Sequence, residues 1–318
     1  VSSGFGLNIG FSESNFLGRG QAFSVNIAAG KTTTDSSIAF TEPALLGRDL
    51  KLKFGAFYRT STQTFAKYDT TAIAISAGLE FPISVSGRMD VHVRAFRDEV
   101  FNVDAASSAI LVTEGAAGGL NGGLLGYNFI YDTRITGLNP NGGVLLRFGQ
   151  DLSGIGGDIK FVETTALALA ETKILNEDVT VRAVVEGGMI NSVGGYTTRV
   201  TDRFFGNSKI RGFEQNGIGP RDLGAANQDA LGGNIYAVAR LEAEFPLGLP
   251  EEYGITGGLF LDAGSVWGLD NTAGTGAPVD DTAKLRSAVG FSVFWNTPIG
   301  PLRFNFSKAL KKETYDKE

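Results

Sequence analysis

Along most of the chain, large apolar residues recur at every second position, with glycine, small or polar residues between them. Phe5, Leu7, Ile9 and Phe11 alternate with Gly4, Gly6, Asn8 and Gly10, and Phe23, Val25 and Ile27 alternate with Ser24, Asn26 and Ala28. Met89, Val91 and Val93 alternate with Asp90, His92 and Arg94. Further on, Ile235, Ala237, Ala239, Leu241, Ala243 and Phe245 alternate with Asn234, Tyr236, Val238, Arg240, Glu242 and Glu244. The pattern returns at Leu285, Ser287, Val289, Phe291, Val293 and Trp295, and at Leu302, Phe304 and Phe306 against Arg303, Asn305 and Ser307. A period of two is that of a β-strand with one apolar face. The pattern predicts about fourteen strands, most of them roughly 8 to 15 residues long, with no competing amphipathic helix.

The apolar face points inward in a soluble sandwich and toward lipid in a transmembrane barrel with a polar lumen. Three features favour the barrel. Many segments exceed the usual soluble strand of about 5 to 6 residues. Aromatics sit near predicted strand ends at Phe57, Tyr58, Phe129, Tyr131, Phe294 and Trp295, where interfacial girdles lie. Connections also alternate in length. The short ones fall near 14–20, 43–48, 83–87, 135–142, 174–178, 246–252 and 297–300, and the longer ones near 60–70, 99–119, 190–230 and 267–282. A meander with every second connection on the same side gives this rhythm, and outer-membrane barrels keep their periplasmic turns short. The expected fold is all-β, an antiparallel transmembrane β-barrel.

Composition narrows the function classes. A chain of 318 residues is compatible with two domains or one β-barrel. With 34 acidic against 28 basic residues the net charge is -6, which argues against a phosphate-tracking nucleic-acid binder. The absence of cysteine excludes disulfides, thiolate metal sites and cysteine nucleophiles, and the single histidine excludes a His-x-x-x-His metalloprotease motif. No apolar stretch reaches 18 residues, so a helical membrane span is not expected. The first residues do not read as a signal peptide, although one removed before residue 1 is compatible.

Enzymatic and cofactor readings find little support. Gly115, Gly118, Gly119, Gly122, Gly123 and Gly126 suggest a phosphate loop, but no Gly-Lys-Ser/Thr follows, and a flexible loop entering a strand is the expected reading. His92 lacks a Gly-x-Ser-x-Gly elbow, and its parity places it in the lumen. No Asp-x-Asp-x-Asp-Gly run marks a Ca²⁺ loop. The expectation is no enzyme activity, no cofactor and no metal. The connection over about 190–230 is more informative, because a loop of that length is usually functional or disordered. It carries Arg203, Phe204, Phe205 and Gly206, then Ile210, Arg211, Gly212 and Phe213, a mixture that calls for packing against the lumen wall. A cation buried there requires anionic partners. Glu242 and Asp262, both at luminal parity, are the candidates.

Ile210-Arg211-Gly212-Phe213 resembles the Val-Arg-Gly-Phe/Tyr signature of the BamA family of outer-membrane protein assembly factors and its superfamily, and Phe260-Leu261-Asp262-Ala263-Gly264-Ser265-Val266-Trp267 resembles a second signature of that family. Supporting matches are Asn15-Phe16-Leu17-Gly18-Arg19-Gly20, Tyr131-Asp132-Thr133-Arg134, Asn139-Pro140-Asn141-Gly142 and Pro298-Ile299-Gly300-Pro301-Leu302-Arg303, in the family's order and across nearly the whole chain. The resemblance implies a barrel of about sixteen strands after periplasmic POTRA domains, with the long sixth extracellular loop folded into the lumen. Arg211 then matches the loop-tip arginine, and Asp262 and Glu242 match the acids it meets on the wall. The implied function is folding and insertion of unfolded outer-membrane proteins in the outer membrane of a Gram-negative bacterium. The implied partners are those clients, accessory outer-membrane lipoproteins and outer-membrane lipid, with no nucleic acid. The alternatives are a two-partner secretion translocator, a passive porin or a soluble sandwich.

The sequence also departs from the family pattern. Val1 already enters what resembles the second barrel strand, and the chain ends at 311–318 without a closing strand. The expectation is a single barrel domain over 1–318 that lacks the POTRA domains and the first and last strands, so lateral-gate residues are not assigned. Lys308, Lys311 and Lys312 are read as a solvated loop rather than a contact to anionic headgroups.

Overall fold

The computed structural model describes residues 6–30, 33–62, 67–134, 142–176, 178–207, 209–297 and 300–318. Its strands are β1 (Gly6–Phe16), β2 (Gln21–Gly30), β3 (Thr33–Glu42), β4 (Lys51–Thr62), β5 (Asp69–Pro82), β6 (Gly87–Phe101) and β7 (Leu120–Asp132). They continue as β8 (Gly142–Gly157), β9 (Phe161–Ile174), β10 (Val179–Ser192), β11 (Ile235–Pro246), β12 (Ile255–Trp267), β13 (Arg286–Thr297) and β14 (Gly300–Lys311). All 14 form one antiparallel sheet in strict sequence order, the wall of a β-barrel. Among the described residues β1 and β14 each pair with a single neighbour. The sixteen strands implied by the family resemblance exceed the 14 described. Strand lengths run from 10 residues in β2 to 16 in β8, enough to cross a bilayer when tilted.

The alternation sorts the two faces as a membrane barrel requires. Leu7, Ile9, Ile75, Val93, Leu241, Leu259, Phe291 and Phe306 are exposed on the outer face, whereas Glu242, Asp262 and Arg286 are buried within. Tyr58 and Trp295 are exposed on the outer face, and Phe129 and Tyr131 share the parity of exposed Leu125. Phe57 and Phe294 do not join a girdle. Phe57 lines a luminal hollow with Lys53, Asp90 and His92, and Phe294 lies under Arg303, because adjacent residues of a strand face opposite sides.

The long connections lie on one side of the sheet, as the length rhythm predicts. That side also carries the tight β8–β9 connection over 158–160, so the alternation is looser than the sequence suggested. One helix departs from the all-strand expectation: α1 (Ala109–Ala116), between β6 and β7, is capped by the Ser108 hydroxyl, which accepts from the Ile110 N–H. Eight residues make little more than two turns, too few to show an amphipathic period. The glycine run after it is not a flexible loop. Gly122, Gly123 and Gly126 lie within β7, and the Phe96 ring and the His92 imidazole fill the space that side chains at Gly122 and Gly126 would need. His92 itself sits in the lumen between Asp90 (2.9 Å) and Asp151 (3.1 Å). Lys308 and Lys311 belong to β14 rather than to a loop, and Lys312 pairs with Glu318.

An apolar cluster closes the end that carries the long connections. Tyr68, Val100, Ile110, Leu111, Val200, Leu231 and Val279 pack together, so α1, the 193–234 loop and the 268–285 loop share one core. Beneath it, Arg203 of the long loop pairs with Glu114 of α1 at 2.8 Å, both side chains being buried. Burial pushes the Glu114 carboxyl above its ordinary range, and the Arg203 charge opposes that rise.

Candidate functional site

The loop of 193–234 enters the lumen through an antiparallel bridge between Phe204 and Gly233, closed by hydrogen bonds of 2.8 and 2.9 Å. Arg203 secures this root by donating to the carbonyls of Leu231 and Thr198, each at 2.6 Å. Deeper in the lumen the tip is held by apolar contacts: Ile210 and Ile218 are buried among Tyr236, Val238, Val266 and Ala288, with Phe204 and Phe213 packed against them. Tyr236, Val238 and Val266 are apolar residues at luminal parity on β11 and β12, so this part of the wall is built to receive a loop.

Arg211 is aimed by that packing at the wall. Its Nε donates to Asp262 Oδ2 at 2.7 Å and its Nη2 to Asp262 Oδ1 at 2.6 Å, a bidentate fork, while its backbone N–H donates to the same carboxylate at 3.0 Å. Its Nη1 bonds Glu242, and its guanidinium lies 3.6 Å from the centroid of the Phe260 ring. Asp262 is 0% exposed, so its charge is balanced by the loop rather than by water. Gly212 follows at φ +90°, and a Cβ there would lie 3.2 Å from Ser307 Oγ and 3.3 Å from Ala288 Cβ. Glycine is thus required by both the turn and the close approach to the wall.

Strand register sets the spacing of the seat. Arg182, Glu242, Phe260, Gly290 and Ser307 stand opposite one another on β10 to β14, as do Arg240, Asp262 and Ala288 on β11 to β13. Gly290 leaves the room that the Phe260 ring occupies: a Cβ there would lie 2.5 Å from the ring's Cζ. Glu242 also receives Arg303 and, at 3.3 Å, Arg182, which pairs in turn with Glu171. A hollow of about 410 Å³ beside the seat is lined by Arg182, Arg211, Arg240, Glu242 and Arg303.

The structure therefore brings Ile210, Arg211, Gly212, Phe213, Glu242, Asp262 and Phe260 together. Other residues singled out in the sequence lie elsewhere. Asn15, Gly18 and Gly20 build the β1–β2 turn, where Asn15 Oδ1 accepts from the Gly20 N–H at 2.6 Å. Gly300 and Pro301 open β14, with Thr297 Oγ1 donating to the Gly300 carbonyl at 2.6 Å. Gly264 admits Val238 from the neighbouring strand. Asn139, Pro140, Asn141, Pro298 and Ile299 fall outside the described residues. Sequence reasoning missed Arg182, Glu171 and Arg303 around Glu242, the Phe260 ring beneath Arg211, and the Arg203–Glu114 pair. Luminal parity marks Arg182 and Arg303, but only the strand register shows that they converge. Among the described residues no cluster of His, Asp and Glu is arranged to hold a metal ion.

The family model for the Omp85 superfamily domain matches residues 15–318. The chain belongs to the Omp85 superfamily. An "Outer membrane protein assembly factor BamA" from Neorickettsia risticii (strain Illinois) is 26% identical over 324 residues, with 100% of this chain and 43% of that protein covered. A "Sorting and assembly machinery component 50 homolog" from Homo sapiens is 26% identical over 319 residues, with 97% of this chain and 66% of that protein covered. The Omp85 barrel also superposes on BamA from Haemophilus ducreyi lacking POTRA domains 1-3, with a TM-score of 0.83 at 21% identity, covering 100% of this chain and 66% of that one. That likeness bears on the fold. The chain spans less than half of its Neorickettsia relative. This Omp85 barrel is of the bacterial outer membrane.

Proposed function

We propose that this chain is the barrel of an outer-membrane protein assembly factor, which receives unfolded outer-membrane proteins and helps them fold and insert. The observation that carries the reading is the seated loop. With Arg211 forked onto Asp262 and the tip packed against β11 to β13, the lumen is occupied and its wall braced. A plugged lumen directs function to the wall and its strand edges. The names of the relatives that match nearly the whole chain support the same reading.

The physical task is clear from the medium. Each unpaired backbone group costs several kcal/mol in lipid, so a client must pair its strands before or during entry. A barrel with a weak lateral seam offers a strand edge on which a client strand pairs, which is β-augmentation used to speed folding. The Arg211 loop does no covalent chemistry in this scheme, and the barrel acts without a cofactor. Its partners are unfolded clients and outer-membrane lipid, with outer-membrane lipoproteins as accessories. The barrel would follow POTRA domains in the complete protein.

The test is the folding rate of an unrelated unfolded outer-membrane protein into liposomes, with and without the complete protein that carries this barrel. Acceleration is expected, with clients cross-linking to strand edges. No acceleration together with steady ion conductance, or cross-links confined to the lumen, would overturn the reading.

A further inference from the structure

Two turns on the side of the short connections share a sequence and a shape. Phe16-Leu17-Gly18-Arg19 leads from β1 into β2, and Leu45-Leu46-Gly47-Arg48 lies between β3 and β4. In the first, the Gly18 N–H donates to the Asn15 carbonyl at 2.9 Å and the Arg19 N–H to the Phe16 carbonyl at 3.3 Å. In the second, the Gly47 N–H donates to the Ala44 carbonyl at 2.9 Å and the Arg48 N–H to the Leu45 carbonyl at 3.2 Å. Leu17 and Leu46 both stand at φ +56°, each followed by a glycine at φ +71°. This left-handed conformation suits glycine or asparagine and strains a leucine. The strain presents an apolar side chain outward: Leu17 is 75% and Leu46 86% exposed. A Cβ at Gly18 or Gly47 would meet nothing within 4 Å, so both tips stand clear of the rest of the protein. Arg19 and Arg48 follow, exposed, and among the described residues neither pairs with a carboxylate. The acids flanking the two turns are engaged elsewhere. Glu13 accepts from the Asn15 N–H, Glu42 from the Gln21 amide and the Ala44 N–H, and Asp49 from Arg88.

We infer that the two tips, Leu17 with Arg19 and Leu46 with Arg48, form a paired site for anionic phospholipid headgroups of the periplasmic leaflet. Outer-membrane barrels keep their periplasmic turns short, which puts both tips on that side. Their depth follows from the rings beside them on the outer face. Phe16, which closes β1, has its ring centroid 5.0 Å from that of Phe23, and Phe23 lies 6.3 Å from Phe11. Phe40 and Phe54 stand opposite one another on β3 and β4. Aromatic girdles mark the boundary between hydrocarbon and headgroups. The tips project just beyond this boundary, where a leucine enters the edge of the acyl region and an arginine meets phosphate. Because β2 and β3 are neighbours, the tips are two strand spacings apart, roughly 10 Å, so both guanidiniums address the same or adjoining headgroups. Leucine alone does not make such a site. Leu175, in the β9–β10 turn, is also exposed and stands at φ +51°, but Asn176, Glu177 and Asp178 follow it in the sequence in place of an arginine. Acids repel an anionic headgroup, so the site belongs to the arc of β1 to β4 and not to that of β9 and β10. The inference rests on the barrel's place in the outer membrane, not on its role in assembly.

The chain contains no cysteine, so a single introduced thiol carries a single label. In the complete protein, an apolar fluorophore at Leu17→Cys, Leu46→Cys or Leu175→Cys takes the place of the leucine. The protein is placed in mixed vesicles of phosphatidylcholine and phosphatidylglycerol, with bromine on the acyl chains of one lipid or of the other. The ratio of quenching by brominated phosphatidylglycerol to quenching by brominated phosphatidylcholine reads the enrichment of anionic lipid around the label. The expected ratio at Leu17→Cys and Leu46→Cys is at least double that at Leu175→Cys. Adding Arg19→Gln to the first and Arg48→Gln to the second is expected to lower both ratios to the Leu175→Cys level. Equal ratios at the three positions, or ratios that survive both arginine substitutions, would overturn the inference. A label at Leu17→Cys and Leu46→Cys that neither brominated lipid nor aqueous iodide quenches would also overturn it, by showing the tips covered by protein. No client is present, so failure of the assembly reading leaves the lipid site standing, and the reverse holds.

Discussion

Replacing Arg211 by alanine isolates what the seat contributes. The substitution removes the two-pronged fork to Asp262, the bond to Glu242 and the stack on Phe260, and leaves the backbone N–H of residue 211 as the donor to Asp262. Glu242 is not orphaned, because Arg182 and Arg303 remain beside it. Asp262 loses its cationic partner and keeps a single backbone N–H, and breaking a buried pair from one side costs about 3 to 5 kcal/mol. The hollow beside the seat admits water to part of the vacated space, which places the expected cost near the lower bound. At about 1.4 kcal/mol per tenfold, 3 kcal/mol increases the open population of the loop roughly a hundredfold. A thiol placed under the tip measures that population. Ala288 is fully buried and faces Gly212, so in Ala288→Cys the maleimide-labelling rate follows lifting of the tip. The expected order of labelling rates is Arg211→Ala, then Asp262→Asn, then Glu242→Gln, because three bonds run to Asp262 and one to Glu242. Equal rates in Arg211→Ala and the parent, or a faster rate in Glu242→Gln than in Arg211→Ala, would refute the account of the seat.

Other expectations follow from neighbouring geometry. Gly212→Ala places a side chain at φ +90° against β13 and β14 and is expected to lower loop stability by about 1 to 3 kcal/mol, read as faster labelling at the same thiol. Gly290→Ala touches no loop residue, yet its Cβ meets both the Phe260 ring and the Phe306 carbonyl of β14 and should also raise that rate; an unchanged rate would separate the ring from the seat. Glu114→Ala leaves buried Arg203 with backbone carbonyls alone and is expected to open the loop root to proteinase K, at a cost of about 3 kcal/mol. Lys284, 2.7 Å from Asp280, holds that carboxyl at about 2, below the ordinary value of about 3.9. A depressed acid stabilises the fold above the ordinary value and ceases to do so as pH falls toward 2. Protection of the 268–285 loop, read as hydrogen-exchange rates divided by the intrinsic rate at each pH, is therefore expected to fall below pH 4, modestly because the pair is solvent-exposed.

Much of the wall was legible in the sequence because a period of two leaves a trace in every strand. The inverted sense of the faces was legible too, since strand length and connection rhythm argue independently of polarity. What the sequence could not provide was register. Glu242 and Asp262 could be placed in the lumen by parity, but the rows that set Arg182 beside Glu242, Phe260 beside Gly290 and Arg240 beside Asp262 depend on how β10 to β13 slide against one another. Phe57 and Phe294 were misplaced for a related reason, since an aromatic near a strand end is a girdle residue only at outward parity. α1 was missed because its three buried positions, Ile110, Leu111 and Glu114, are held by loops distant in sequence.

The composition of the seat bears on what it is for. An ion pair buried in a protein is often no more stabilising than apolar residues of the same volume, because desolvation offsets the attraction, so maximal stability does not explain an arginine at the loop tip. The wall already offers an apolar surface, and Ile210, Ile218 and Phe213 already use it. Apolar contact tolerates small shifts of the tip along the wall. A planar fork on Asp262 with a ring beneath it does not, since both bonds and the stack are lost together when the guanidinium moves. Arg211 therefore contributes position more than binding strength. Position is also what the proposed templating at a strand edge would require of the loop. A loop in one defined place transmits a defined shape to β11 through β14, and a loop free to slide would leave the wall, and any strand edge it supports, without a fixed register.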